Sequence, residues 1–297
     1  MTHRQKKLLL IVNPRAGKNK SRGPLFDAAA VLSRGGYLLS IQETAAAGDA
    51  VEIAAREGGK YDVVVAVGGD GTLNEVVTGL MRLKTPPLLG YLPQGSTNDF
   101  AASLHISGRP PVAAGSIVDS APQKLDIGRW NGRYFVYVAS FGAFTRTSYT
   151  ATQDAKNAFG HFAYLLEGMK DLSSLRPYQI RLTADGEVLD GEYLFGAVCN
   201  STSIGGFLKL SPEEVVLDDG KFELLLVPSP QSVGELQETL MALMSQDYRS
   251  PGLVFRHVSS LHLETEDELP WSLDGEYAPN LMSIEIENCP RSIEMLL

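Results

Sequence analysis

Asp62-Val63-Val64-Val65-Ala66-Val67-Gly68-Gly69-Asp70-Gly71-Thr72-Leu73-Asn74-Glu75 is the stretch on which the fold turns. The β-branched run reads as a buried strand, the glycines end it, and helical spacing follows over 73–82. Such a layout aims backbone N–H groups and a helix N-terminus at one point, where a phosphate can bind. Gly68, Gly69 and Gly71 permit close approaches that a side chain would block. Thr72 and Glu75 fit a capping box, with Thr72 at the N-cap and Glu75 reaching back. Asp70 has no such structural use in the sequence, so it is a candidate to face a metal ion or a reacting hydroxyl. The stretch reads first as part of a nucleotide-using enzyme.

The pattern around it repeats. Strands at 8–12, 37–43, 63–67 and 88–92 are separated by helical stretches at 24–34, 48–57 and 73–82, which implies a parallel sheet with right-handed crossovers. After about residue 121 the style changes. An Asn131-Gly132 turn joins strands 125–130 and 134–139 into a hairpin. Further strands are expected at 178–184, 192–198, 221–227, 253–264 and 282–287, with Asp185-Gly186, Asp219-Gly220 and Asp274-Gly275 supplying turn chemistry. Helical inserts are expected at 154–172 and 233–244, each with an apolar face that suits core packing.

Composition narrows the function. The chain has 297 residues, 44% of them hydrophobic, enough for two modest cores or one large one. A net charge of −9 argues against general nucleic-acid binding. Cys199 and Cys289 form no metal or redox spacing, sit in apolar strand-like contexts and read as buried free thiols in a reducing cytosol. No segment has the uninterrupted apolar length of a membrane span, and 8–12 followed by Asn13-Pro14 reads as a strand and turn instead of a signal peptide. Before Asp27 stand seven basic residues (Arg4, Lys6, Lys7, Arg15, Lys18, Lys20 and Arg22) and no acidic ones. They form either a solvated end or a patch that meets polyphosphate or an anionic membrane surface.

Two more loops share the logic of the first. Pro93-Gln94-Gly95-Ser96-Thr97-Asn98-Asp99 follows its strand with hydroxyls, amides and a carboxylate, and Ser96 or Thr97 would serve as a helix cap. Asn13-Pro14-Arg15-Ala16-Gly17-Lys18 adds backbone donors and two cations. Loops from adjacent βα units converge on one crevice at the carboxyl ends of the strands. Neither a dinucleotide fingerprint nor a phosphate-loop lysine fits: Asn74 stands where the third glycine belongs.

Asn13-Pro14-x-Ala16-Gly17, Gly68 to Glu75 and Pro93 to Phe100, followed by Leu217-Asp218-Asp219-Gly220-Lys221-Phe222 and Leu273-Asp274-Gly275-Glu276, resemble the bacterial diacylglycerol kinase and lipid kinase family. That family has relatives acting on sphingoid bases and ceramides. The resemblance spans nearly the whole chain. It implies an α/β plus all-β fold, with an N-terminal phosphofructokinase- or NAD-kinase-like domain over 1–121, completed by 288–297, and a C-terminal β-sandwich over 122–287.

By the same resemblance, ATP would contact Asn13, Pro14, Arg15, Ala16, Gly17, Thr44, Gly69, Asp70, Gly71, Thr72, Leu73, Asn74, Glu75 and Ser96. Family members usually carry Gly-Thr where this chain has Gly95-Ser96, and serine keeps the hydroxyl. Asp219, with the carbonyls of Val216 and Lys221, matches a Mg²⁺ site; on its own Asp219-Gly220 is a hairpin turn. Glu276 matches the proton acceptor, with Asp70 and Asp99 holding water and metal. The implied reaction is ATP-dependent phosphorylation of a lipid alcohol, diacylglycerol foremost, by a cytoplasmic enzyme in peripheral contact with an anionic membrane. The sandwich edges offer a route to a homodimer. An NAD kinase, or a catalytically silent nucleotide- or lipid-binding regulator, are the alternatives.

Overall fold

The computed structural model describes residues 4–17, 23–142, 176–204 and 208–297. The insert expected at 154–172, and Lys18, Lys20 and Arg22, lie outside them. The chain divides into two compact units, Met1–Leu125 with Arg291–Leu297, and Asp126–Pro290.

The first unit alternates strand and helix: β1 (Lys6–Val12), α1 (Gly23–Arg34), β2 (Tyr37–Glu43), α2 (Asp49–Glu57), β3 (Val63–Gly68), α3 (Asp70–Leu80), β4 (Leu88–Pro93), α4 (Asp99–Ser103) and α5 (Pro110–Asp119). Its sheet is parallel in the order β4-β3-β1-β2. The central strands lie between helices on both faces, so β3 is apolar and buried throughout. Leu8, Leu10, Val12, Val63, Val65 and Val67 share one face of the sheet and pack with Ala28 and Leu32 of α1 and Ala114 and Ile117 of α5. Met295, near the C-terminus, pairs in parallel with Leu89 of β4.

On the opposite face α2 and α3 lie backbone to backbone. A Cβ added at Gly79 would stand 2.4 Å from the Val51 carbonyl oxygen and 2.7 Å from the Ala54 Cβ.

The second unit is antiparallel: β5 (Pro122–Trp130), β6 (Arg133–Phe135), β7 (Val138–Gly142), β8 (Tyr178–Ala184), β9 (Glu187–Cys199), β10 (Ser203–Ile204), β11 (Leu208–Lys209), β12 (Phe222–Pro228), α6 (Val233–Ser245), β13 (Val254–Val258), β14 (Ser260–Leu273) and β15 (Glu276–Leu296), whose last residues belong to the first unit. Strands β9 and β14 are long enough to change partners. Each pairs with β7 near one end and with β8 near the other, which folds the sheet over its own core. Trp271 fills that core, with ring centroids 5.9 Å from Trp130 and 5.0 Å from Phe141. The architecture is α/β followed by a β-sandwich.

Several elements differ from the sequence reading. The single strand expected at 253–264 is two, β13 and β14, because the Asp185 carboxylate accepts the backbone N–H groups of Ser259 and Ser260 at the break. The hairpin arm expected at 134–139 is likewise interrupted between β6 and β7. Helix α3 begins at Asp70, three residues earlier than its apolar spacing suggests. Helix α5, opened by two prolines, went unread because its apolar residues are too numerous to define a face. Both cysteines are free, Cys199 buried and Cys289 half-buried. Among the described residues no helix is long and apolar enough to cross a membrane.

Gly79→Ala should lower stability by about 1–3 kcal/mol through overpacking, although alanine is normally favoured inside a helix. An unchanged or raised urea midpoint would mean that α2 and α3 do not touch there.

Glu223 is 1% exposed, and its Oε2 has no hydrogen-bond partner among the described residues. Burial pushes its carboxyl up to about 8, helped by the charges of Asp219 and Glu214. The folded protein therefore holds a proton that the unfolded chain releases above the ordinary glutamate range. Stability should fall as pH rises from about 4.5 to 8, and Glu223→Gln should flatten that slope in urea melts at pH 5 and pH 8.5.

Candidate functional site

In the first unit the loops after β1, β2 and β4 gather on the start of α3. After β1, Asn13 donates its backbone N–H to Val67 O (2.9 Å), and its Oδ1 accepts the Arg15 N–H (2.9 Å). Its Nδ2 donates to Thr72 Oγ1 at 3.1 Å. Gly17 has φ +74°, and a Cβ there would meet the Gln94 carbonyl oxygen at 2.4 Å. Only glycine suits both the angle and the approach. Gly69 and Gly95 meet in the same way: a Cβ on Gly95 would lie 2.6 Å from the Gly69 Cα.

Asp70 does have a structural partner, which corrects the sequence reading. Its Oδ2 accepts the Asp99 N–H at 3.0 Å and its Oδ1 the Phe100 N–H at 3.4 Å. These are the orphan donors at the start of α4, capped here by a side chain 29 residues away. Neither Ser96 nor Thr97 takes the cap position. Asn98 occupies it in the left-handed region, φ 53°, and its Oδ1 accepts the Gly95 N–H at 2.8 Å. Asp99 is buried, whereas Ser96 is exposed.

The expected capping box is not formed either. Gly69 is the N-cap of α3 and makes no side-chain cap. Thr72 instead holds Asn13, and Glu75 accepts the N–H groups of Gly48 (2.8 Å) and Ala50 (3.2 Å). Leu73 is buried in the core, and its N–H donates to Gly69 O at 3.1 Å. Gly71 and Asn74 are half-buried in the first turns of α3. Pro14 and Arg15 are exposed; Ala16 is half-buried, as is Thr44, whose N–H donates to Val12 O at 2.9 Å.

Tyr91 escaped the sequence reading because it sits in an otherwise apolar strand. Its hydroxyl donates to Asn98 Oδ1 at 3.4 Å. Burial, and then the neighbouring charge of Asp70, push that hydroxyl well above the ordinary tyrosine range. It stays a proton donor beside Asp70 and Asp99.

In the second unit Asp219 Oδ1 accepts the Lys221 N–H at 2.9 Å, closing the turn, and Gly220 has φ +80°. Val216, Asp219 and Lys221 are exposed. Asp126, absent from the sequence candidates, underpins this turn. It is 1% exposed; its N–H donates to Leu217 O (2.8 Å) and its Oδ2 accepts the Gly220 N–H (2.6 Å). Asn200 and Asn288 donate to Asp126 at 2.9 and 3.3 Å, and their own buried Oδ1 atoms have no partner among the described residues. Among the described residues no three His, Cys, Asp or Glu side chains cluster to hold a metal ion. The Asp219 set is one carboxylate with backbone carbonyls, an all-oxygen donor set suited to a hard cation.

Glu276 is exposed just past the Asp274-Gly275 turn, where both residues have positive φ (50° and 83°) as a two-residue hairpin requires. Asp274 locks that turn. Its Oδ2 accepts the N–H of Val136 (2.7 Å), and its Oδ1 those of Tyr137 (3.0 Å) and Val138 (3.1 Å). Those bonds also explain the break between β6 and β7.

The parallel α/β unit and the β-sandwich each have counterparts among known proteins. Residues 7–130 match the diacylglycerol kinase catalytic domain, and residues 138–297 the YegS C-terminal NAD kinase beta sandwich-like domain. The chain belongs to the diacylglycerol kinase family. It is 33% identical to a diacylglycerol kinase of Bacillus subtilis (strain 168), covering 98% of this chain and 96% of the relative. It is 35% identical to one from Staphylococcus aureus (strain bovine RF122 / ET3-1), covering 93% and 88%. The crystal structure of a diacylglycerol kinase from Bacillus anthracis str. Sterne matches with TM-score 0.75 at 25% identity, covering 98% of this chain and 96% of that one. An NAD kinase from Archaeoglobus fulgidus, solved with ATP, shares the fold alone (TM-score 0.51, 12% identity, 98% and 93% covered).

Asp274→Ala would leave three buried N–H groups unpaired. It should cost about 3 kcal/mol or more in chemical denaturation. A loss of activity with no loss of stability would show that Asp274 serves the chemistry instead of the turn.

Proposed function

We propose that the protein is an ATP- and Mg²⁺-dependent lipid kinase that transfers the γ-phosphoryl group to the hydroxyl of diacylglycerol, giving phosphatidic acid and ADP. The observation that carries this reading is the gathering of three loops on the α3 N-terminus in a chain whose relatives are named diacylglycerol kinases. That N-terminus, with the glycine backbones of Gly17, Gly69 and Gly95 packed closely, suits the phosphates of ATP. Asn13 to Gly17, Thr44 and Ser96 are the flanking contacts.

Glu276, exposed and fixed by its hairpin, is assigned as the acceptor of the hydroxyl proton as the oxygen attacks the γ-phosphorus. An exposed carboxylate is a weak base at neutral pH, so positioning and charge must supply most of the acceleration. Asp219 and the carbonyls of Val216 and Lys221 would hold Mg²⁺, which when bound neutralises phosphate charge. Asp126 shapes that turn from beneath, and Asp70 and Asp99 of the first unit are assigned to hold water and metal.

A lipid acceptor requires contact with a bilayer. Among the described residues the basic cluster is divided between the two ends of β1. Arg4, Lys6 and Lys7 sit at or before the start of β1 and Arg15 beyond its end, roughly 20 Å away. Arg4 and the Lys7 N–H also face Asp62. We therefore assign any electrostatic docking near the nucleotide loops to Arg15 and its neighbours.

The test is transfer of labelled γ-phosphate from ATP-Mg²⁺ to diacylglycerol, monoacylglycerol, a sphingoid base and NAD in mixed micelles. Diacylglycerol should be labelled, chelation of Mg²⁺ should stop the reaction, and Glu276→Gln should lower kcat at least about 100-fold. Labelling of NAD alone would replace this reading with an NAD kinase. ATP binding without any transfer would leave a silent regulator.

A further inference from the structure

Glu75 lies in the stretch matched to nucleotide contact, yet both its oxygens are engaged elsewhere. Oε1 accepts the N–H of Gly48 and Oε2 that of Ala50, the cap residue and the second residue of α2. Gly48 itself gives α2 no side-chain cap and has φ +84°. Glu75 thus caps a neighbouring helix, with its charge at the end where the dipole favours an anion. The loop between β2 and α2 is fixed at two further points. Thr44 is tied to Val12 O, and Asp49 Oδ2 accepts the N–H groups of Ala45 (2.7 Å) and Ala46 (2.9 Å).

We infer that Glu75 is a positioning residue for the nucleotide: it holds the Thr44–Gly48 loop against α3 and acts on ATP through Thr44, without touching ATP itself. The inference rests on the proposed use of ATP. Its physical basis is that Thr44 ties the loop to β1 and Asp49 closes it on itself. The two bonds from Glu75 join the loop to the helix whose N-terminus is proposed to take the phosphates.

Glutamine keeps one acceptor oxygen and loses the charge, so Glu75→Gln should loosen the loop without emptying the space. Its KM for ATP should rise about fivefold, in the range of typical coupling between linked sites, and more than kcat falls. Amide exchange at Gly48 and Ala50 should quicken before any ATP is added. Gly48→Ala acts from the other end of the same bond. Its Cβ meets nothing within 4 Å, so only the positive φ is strained, and KM should move in the same direction.

The deciding measurement is a double-mutant cycle with Thr44→Ala, reading ATP affinity in the full-length protein. Combined with Glu75→Gln, the loss should be smaller than the sum of the single losses. Additive losses would mark Glu75 as an independent ligand and overturn the inference. So would unchanged ATP affinity in Glu75→Gln while the wild type binds ATP. A wild type that binds no ATP would overturn the proposed function together with the inference. Should Glu75→Gln not fold, the Gly48→Ala cycle with Thr44→Ala carries the same two outcomes.

Discussion

Asp70, Thr72 and Glu75 leave the first two turns of α3 in three directions, and each engages a different loop. Asp70 takes the donors of α4, Thr72 the carboxamide of Asn13, and Glu75 the donors of α2. The ends of parallel strands are already set by their register, with β1 and β4 flanking β3. What register leaves free is the loop beyond each strand. A carboxylate accepting backbone N–H groups restrains that loop directly, at about 1.5–3 kcal/mol for each bond to a charged group. Because all five bonds start from one helix, a shift of α3 would be felt in every loop at once. Close contact of glycine backbones at Gly17, Gly69 and Gly95 then leaves little slack between the loops.

The second unit uses the same device with other residues. Asp126, Asp185 and Asp274 each accept backbone N–H groups of a segment distant in sequence. Each bond decides a local outcome: Asp126 shapes the 217–220 turn, Asp185 separates β13 from β14, and Asp274 separates β6 from β7. Asp274 illustrates the economy best. Its positive φ makes the hairpin turn, and its carboxylate ties that turn to the neighbouring strand, so Glu276 two residues on inherits a defined place.

Much of this fold was legible because it rests on local pattern. The buried runs of β1 and β3, the Gly-Gly loop and the Asn131-Gly132 turn carry their meaning within a few residues. The partners of the carboxylates do not. Thr72 and Glu75 have the spacing of a capping box, and nothing local says that Glu75 will turn to a helix 27 residues earlier. Asp70 looked free of structural duty because its donors, Asp99 and Phe100, come from the next βα unit. Tyr91 and Asp126 were silent for a related reason: a single polar residue in an apolar strand signals nothing until the sheet shows what it faces. The glycines and acids of the candidate site were therefore visible as residue types, while their division of labour required the fold.

That division bears on the charge balance of the site. Asp70 and Asp99 are held together by the Asp70–α4 bonds, with the neutral Tyr91 hydroxyl beside them. A polyphosphate placed at the α3 N-terminus would set its negative charge near both carboxylates. Helix-terminal N–H groups offset only about half a charge. Arg15 contributes one cation from the adjoining loop. The remaining repulsion is what a divalent ion is suited to relieve, since two charges at contact distance outweigh any single hydrogen bond in a partly buried site. On the proposed reading, the divalent ion that arrives with ATP offsets this repulsion between carboxylates and nucleotide. The loops must be stiff enough to keep all three in place, and the bonds from α3 provide that stiffness.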